Sequence, residues 1–453
     1  MSRSTPRPPA LIVGVLAATA FVASLTQTLV IPILPTIPEQ VGITAAQASW
    51  LVTITVVVGA VSNPLLGRLG DQLGRRRILL VAVGAFVIGS IIPALSDNYA
   101  LLLIGRGVQG ISTAAIPLGI GIISAAVPKE RRATGIATIS ATLGIGGALG
   151  LPLAGVISTA WGFHGLFWFA TVAGVIAFVV AFATIPDVRF ASTERGVDVA
   201  GAVLLAAGLS TLLLGISIGP GTGWGAPLTL GLLAVAVVAF AALVAVELRV
   251  RNPIVDVRLA VARTPLLTNL AGFFTGFAFF TGTLGIITIA QLPLGIGFGL
   301  AIFAAGLALL PGGLLMAAVS PISGRLVGRI GGGAVLAAGS AVILLGFALQ
   351  FTLHTQLWQL IVAASVLYAG VGLSYAAMPS VILAATPPES AGAVTGLNAL
   401  ARVLGTALSS TIFGVLSAGG LTASALSLYL LLGTVAIVLS FVPLALLPRR
   451  SRA

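Results

Sequence analysis

Gly67-Arg68-Leu69-Gly70-Asp71-Gln72-Leu73-Gly74-Arg75-Arg76-Arg77 stands between two long apolar runs, and Gly324-Arg325-Leu326-Val327-Gly328-Arg329-Ile330-Gly331 stands between two more. Both begin Gly-Arg-Leu and both carry a glycine seven positions on, at an offset of 257 residues. Thr134-Gly135 with Leu143-Gly144 returns as Thr395-Gly396 with Leu404-Gly405, 261 residues later. Like segments in like places at a near-constant offset point to a chain built from two related halves.

The runs around these loops are too apolar for water. Of 453 residues, 58% are hydrophobic and 7% charged, against about 25% charged in an average soluble chain. A soluble fold of this length needs more charge on its surface, and a disordered chain needs far less apolar content. The bilayer is the solvent that remains. A helix crosses the hydrocarbon core with about 20 apolar residues, and fourteen such runs are readable: 11–34, 47–66, 78–96, 99–126, 134–159, 165–185, 199–218, 227–247, 266–289, 298–320, 333–353, 357–380, 394–416 and 424–447. They lack period-2 alternation, which excludes a β-barrel. The first continues to Leu34, past the Ala18-Thr19-Ala20 that resembles a signal cleavage site, so it is expected to be a span. The expected fold is an all-α integral membrane protein of 14 transmembrane helices. It comprises a six-helix bundle over 1–185, an inserted helix pair with its links over 186–265, and a second six-helix bundle over 266–453. Parallel six-helix repeats are an architecture of alternating-access transporters.

Charge orients the spans. Twenty of the 22 Lys and Arg lie before the first run or after runs two, four, six, eight, ten and fourteen, and none lies in the opposite loops. The positive-inside rule makes that face cytoplasmic, with both termini inside, in a plasma (inner) membrane. Trp50, Trp161, Trp168, Trp224 and Trp358 sit at or near the other ends, as an interfacial belt does. Spread this way, the net charge of +12 forms no stripe for nucleic acid. There is no cysteine, and His164 and His354 lie far apart. With every Asp and Glu in a loop or at a helix end, an intramembrane enzyme, a metal centre or a cofactor site lacks its parts.

Three segments resemble one family. Gly67-x-x-x-Asp71-x-x-Gly74-x-Arg76-Arg77 resembles the loop 2–3 signature of the major facilitator superfamily. Arg106-Gly107-Val108-Gln109-Gly110 is similar to its Arg-x-x-Gln-Gly pattern in span four, and Gly146-x-x-x-Gly150-Leu151-Pro152-x-x-Gly155 to the antiporter motif of its exporters. Fourteen spans with an inserted pair resemble the drug:proton antiporter branch, as do Asp198, Gly223-Trp224, Gln291 and Leu310-Pro311. The departures are Gln72 for a usual cation, Leu151 and Val156 for usual glycines, and Gly328 where the first loop has Asp71. The resemblance implies a proton-coupled, secondary-active exporter of small amphipathic or lipophilic compounds, of the drug-efflux type. Such a protein works as a monomer without a cofactor, and its partners are a small-molecule substrate, protons and membrane lipid.

The resemblance makes Gly67, Asp71, Gly74, Arg76 and Arg77 a gating loop that latches the outward-facing state, where basic residues alone could be a topology anchor. As an exposed loop carboxylate, Asp71 is expected to pair with a nearby arginine or a helix N-terminus and to add little stability. Gly146 and Gly150 form a small-xxx-small pair and Pro152 frees a backbone carbonyl. With Gly155 they read as plain packing from the residues and as a pliant gating helix from the resemblance.

Arg106 lies in the outer half of span four, where a cation costs roughly 2.5–3.5 kcal/mol on insertion scales. A watery cavity or a partner is expected there, and Arg106, Gln109 and Gly110 are placed on the transport pathway. Arg402, nearer the cytoplasm, is better placed than Arg106 to snorkel. No carboxylate lies mid-span, which disfavours permanent cations as substrates and assigns no residue to the proton. Gln27, Thr28, Asn269 and Gln291 are polar candidates for the substrate cavity, or equally for interhelical hydrogen bonds. An importer or symporter of a small metabolite or lipid on the same fold is the alternative, because fold does not fix direction. A non-transporting membrane sensor or scaffold is a third reading.

Overall fold

The computed structural model describes residues 8–30, 37, 41–43, 45–187, 198–250, 253, 255–294, 296–352, 355–417 and 422–447. Thirteen long helices carry them: α1 (Pro9–Leu29), α2 (Ala45–Leu73), α3 (Arg75–Ala94), α4 (Tyr99–Ala126), α5 (Lys129–Thr184), α6 (Val199–Thr222), α7 (Pro227–Glu247), α8 (Arg263–Gln291), α9 (Ile302–Ile330), α10 (Gly332–Thr352), α11 (Leu357–Ala384), α12 (Ala391–Ser417) and α13 (Ala423–Leu446). Among the described residues the β pairing is one isolated bridge, Leu294 to Gly297. Twelve of these helices are long and apolar enough to cross a membrane by length and composition; in α1 the described apolar stretch, Pro9–Leu25, is shorter.

In their described residues the fourteen apolar runs lie mainly on these helices, and runs 134–159 and 165–185 share α5. A straight helix of 56 residues would be about 84 Å long, nearly three hydrocarbon thicknesses. Gly162 interrupts it at φ 67°, ψ −168°, a left-handed conformation that glycine adopts without a Cβ clash. Elsewhere polar side chains end the helices. Asn98 Oδ1 accepts from Ala100 N and Leu101 N at the start of α4, Asp198 Oδ1 from Gly201 N at the start of α6, and Thr422 Oγ1 from Ala425 N at the start of α13.

The buried apolar side chains form four clusters. Two lie between Ile12 and Ile185 and one between Leu267 and Leu447. The fourth joins Leu205, Leu209, Leu213 and Leu243 of α6 and α7 to Val57 and Ala60 of α2 and Leu400 of α12. The hairpin α6–α7 thus packs where α2 meets α12. Across the same seam α9 packs on α5. The contacts exchange the repeats: α2 and α9 carry the two related loops, and each lies against the helix that opens the other repeat's second signature.

Candidate functional site at the seam of the two halves

Glycines bring the helix pairs to backbone contact at the end that carries the basic loops. A Cβ at Gly67 would strike Gly392 O, and one at Gly392 would lie 2.5 Å from Gly67 O. A Cβ at Gly396 would lie 2.5 Å from Asn63 O, and at Gly324 it would lie 2.6 Å from Ala133 O. Small residues are what allow helices to approach this closely.

One turn beyond Gly67, Asp71 reaches across the seam. Its Oδ1 accepts from Gly392 N at 3.2 Å and its Oδ2 from Ala393 N at 3.0 Å. These amides belong to the first turn of α12, where the helix itself supplies no acceptor and the dipole favours negative charge. Arg75 Nε donates to Asp71 Oδ1 at 2.8 Å, and Arg75 Nη2 lies 2.7 Å from the same oxygen. The guanidinium goes on to donate to Gly121 O at 2.7 Å and to Pro388 O at 2.6 Å. One carboxylate and one guanidinium therefore join α2, α3 and α4 to the N-terminus of α12. Gly74, at φ 106°, makes the turn that sets Arg75 beside Asp71.

One expectation needs correction here. Asp71 is not exposed: it is 7% accessible, because the short turn is pressed against the second half. It meets both an arginine and a helix N-terminus, as expected; the arginine is Arg75, outside the motif set. Arg76 donates to Phe182 O at 2.7 Å and lies over the Phe182 ring, and Arg77 is exposed. The i,i+4 spacing of Asp71 and Arg75 is the sequence signal for the pair. The family pattern leaves position 75 open and hides it. In the second loop Gly328 faces open space, with nothing within 4 Å of a Cβ built there.

Arg106 is 1% exposed and is held within the first half. Its Nε donates to Leu51 O of α2 at 2.9 Å and its Nη1 to Gln109 Oε1 at 2.7 Å. Gln109 Nε2 in turn donates to Ser90 Oγ of α3 at 2.8 Å. A Cβ at Gly110 would lie 2.6 Å from Thr55 O, so this glycine lets α4 press on α2. The three residues clasp α2, α3 and α4 together. Beside them runs a cleft lined by Leu29, Val30, Leu166, Phe167 and Ala170, with room for about one water molecule.

The antiporter-like segment of α5 packs on two sides. Gly146 lies against Ser24 of α1, whose Oγ donates to Thr142 O at 2.9 Å. Across the seam a Cβ at Gly144 would lie 2.8 Å from Met316 Cγ, and at Gly155 it would lie 2.8 Å from Phe303 Cδ2, both of α9. Gly150 is buried and Pro152 half-buried within the helix.

Arg402 does not snorkel. It is 9% exposed, and its guanidinium carbon sits 4.5 Å from the centroid of the Tyr375 ring of α11. Gly272 and Gly276 draw α8 onto α12 at this level, so the face that bears Arg402 is turned inward.

The sequence pattern of the Major Facilitator Superfamily matches residues 16–410. The chain belongs to the major facilitator superfamily. The chain is 30% identical over 398 residues to the multidrug resistance protein Stp of Mycobacterium tuberculosis, covering 86% of this chain and 72% of that one. To the tetracenomycin C resistance and export protein of Streptomyces glaucescens it is 29% identical over 420 residues, covering 92% and 77%. The crystal structure of the human organic anion transporter MFSD10 (TETRAN) shares the fold, with a TM-score of 0.69, 19% identity, and 97% and 100% of the two chains covered. This major facilitator chain is a multi-pass membrane transporter and not an enzyme.

Of the four candidates for a major facilitator substrate cavity, the two whose side chains are described, Asn269 and Gln291, do not come together. Asn269 and Gln291 stand 22 residues apart on α8, about 33 Å of helical rise. Asn269 Oδ1 accepts from Asn398 Nδ2 of α12 at 3.1 Å, an interhelical bond. The side chains of Gln27 and Thr28 lie outside the described residues. Among the described residues no group of three or more His, Asp or Glu gathers for a metal.

Proposed function

We propose that this major facilitator protein is a proton-coupled exporter of small amphipathic or lipophilic compounds that works by alternating access. The observation that carries the reading is Asp71 of the first half on the α12 amides of the second. Opening the basic face requires breaking those bonds and parting the glycine contacts, so Asp71 and Arg75 act as the latch of one access state. The glycines of α5, set against α9 along the same seam, supply the surface on which the halves rock. Export is favoured by the antiporter-like segment at Gly146–Gly155 and by the resistance and export names of the two relatives.

We read fourteen spans in a plasma membrane, with both termini cytoplasmic. The twelve apolar helices are joined by α1, and α5 divides at Gly162. The domains are then 1–185, the pair within 186–265, and 266–453. In the cysteine-free chain, Gly221→Cys is expected to label from outside with an impermeant thiol reagent and Arg258→Cys only from the cytoplasm. Labelling of both from one side would contradict this topology.

Everted vesicles test the function. With the protein present, they should take up the neutral dye N-phenyl-1-naphthylamine when acidified inside, and a proton ionophore should abolish the uptake. Uptake insensitive to the ionophore would refute coupling, and no uptake relative to vesicles lacking the protein would refute export of this class.

A further inference from the structure

The second half holds a buried cation with no balancing charge. A guanidinium carries five N–H donors. Among the described residues no side-chain hydrogen bond from Arg402 is found, its face rests on the Tyr375 ring, and its nitrogens are not among the fully buried, unpartnered atoms, so the fork keeps an open side. A ring face offsets part of the lost hydration, while burying a charge without a counter-ion or hydrogen bonds remains costly. Arg106 shows the contrast, with its donors on Leu51 O and Gln109.

One turn before Arg402, Asn398 is 1% exposed; its Nδ2 is engaged by Asn269, and its Oδ1 accepts nothing among the described residues. The i,i+4 spacing puts Asn398 and Arg402 on one face of α12, about 6 Å apart along the axis. The Tyr375 ring is the end of an aromatic run: Phe279 lies edge-on to it at 6.0 Å, and Tyr368 lies at 5.2 Å from Phe279. Ser140 Oγ of α5 donates to Tyr375 O at 3.4 Å, so this place lies on the seam between the halves.

We propose that Arg402, Tyr375 and Asn398 form the subsite that reads substrate charge, so that among amphipathic compounds the protein prefers planar aromatic ones carrying a carboxylate or phenolate. This rests on the transporter reading above and names the substrate class for it. The acid pairs with the guanidinium fork, which matches a carboxylate's two oxygens. The ring packs along Tyr375 and Phe279. A hydroxyl about 6 Å from the acid donates to Asn398 Oδ1. No Asp or Glu lies mid-span to offer a cationic substrate the opposite arrangement.

The test is equilibrium binding of fluorescein and rhodamine 123 to the purified full chain, followed by fluorescence anisotropy at mildly alkaline pH. The two dyes share a three-ring plane and differ in charge. The wild type should bind fluorescein about tenfold more tightly or better, and Arg402→Gln should lose about tenfold in fluorescein affinity while holding rhodamine 123 as before. Asn398→Asp places a carboxylate one turn from Arg402 and should lower fluorescein affinity in the same way. It also serves if the glutamine variant does not fold. Wild-type preference for rhodamine 123 or equal affinity for the two dyes overturns the proposal. So does full fluorescein affinity in either variant when it is monodisperse. Binding needs no gradient, so a failure of proton-driven uptake with this selectivity intact counts against coupling alone.

Discussion

Asp71→Asn slows transport by about tenfold or more and lowers the thermal stability of the purified protein. The substitution leaves Arg75, 1% exposed, without its counter-charge. Breaking a buried ion pair by removing one partner costs about 3–5 kcal/mol, far more than the loss of an exposed loop carboxylate. Asn can still accept from one of the two α12 amides, so the cap is weakened and not abolished. Removing Arg75 as well relieves the stranded cation. The double variant Asp71→Asn with Arg75→Gln should therefore be less impaired than the sum of the two, by about 1–3 kcal/mol of coupling. Combination with Arg76→Gln or Arg77→Gln should be additive, because neither side chain touches Asp71. Efflux rates and unfolding midpoints measure both. Wild-type rate and stability in Asp71→Asn would leave the loop as a topology anchor.

Arg106→Ala should have a comparable effect by a different route. It removes charged hydrogen bonds to Leu51 O and to Gln109 Oε1, each worth about 1.5–3 kcal/mol when the donor is charged. It also leaves Gln109 Oε1 without its donor, although Gln109 Nε2 keeps Ser90 of α3. Efflux should fall about tenfold or more, with the unfolding midpoint lowered. Arg106→Lys should restore part of this, since one ammonium lacks the planar fork that serves both acceptors. Gln109→Ala should act in the same direction and more weakly. Because Arg106 is engaged inside the first half, its loss should slow anionic, neutral and cationic dyes alike. A selective gain for cationic dyes in Arg106→Ala would show instead that this residue faces the substrate.

Hydropathy makes the helices legible because each apolar run must find lipid or protein, and the break within α5 falls where Trp161-Gly162 separates two runs. The repeat offsets relate α2 to α9 and α5 to α12; that α2 packs on α12 and α9 on α5 is seen only in the structure. The Asp71–Arg75 pair is legible as an i,i+4 spacing, but which helix N-terminus completes it is not. Hydropathy carries no information on which helix N-terminus a loop will meet, and the acceptor-poor amides of Gly392 and Ala393 leave no side-chain signature. The same limit explains Arg402. Its depth along the span suggested escape to the headgroups, but depth does not specify a helix face. Gly272 and Gly276, glycines among many, decide the face by letting α8 close over it. Arg106 was legible as a cation needing partners; that Leu51 O would be one of them depends on how close Gly110 lets α4 come to α2.

Asp71 bridges the two halves at the basic face. Spin labels on Leu73→Cys and Ala385→Cys, exposed positions on either side of the seam, report the separation directly by double electron–electron resonance in a chain with no native cysteine. A dominant short-distance population is expected in the otherwise wild-type protein, with a shift toward a longer one when Asp71→Asn is added. An identical distance distribution with and without Asp71→Asn would contradict this role of Asp71.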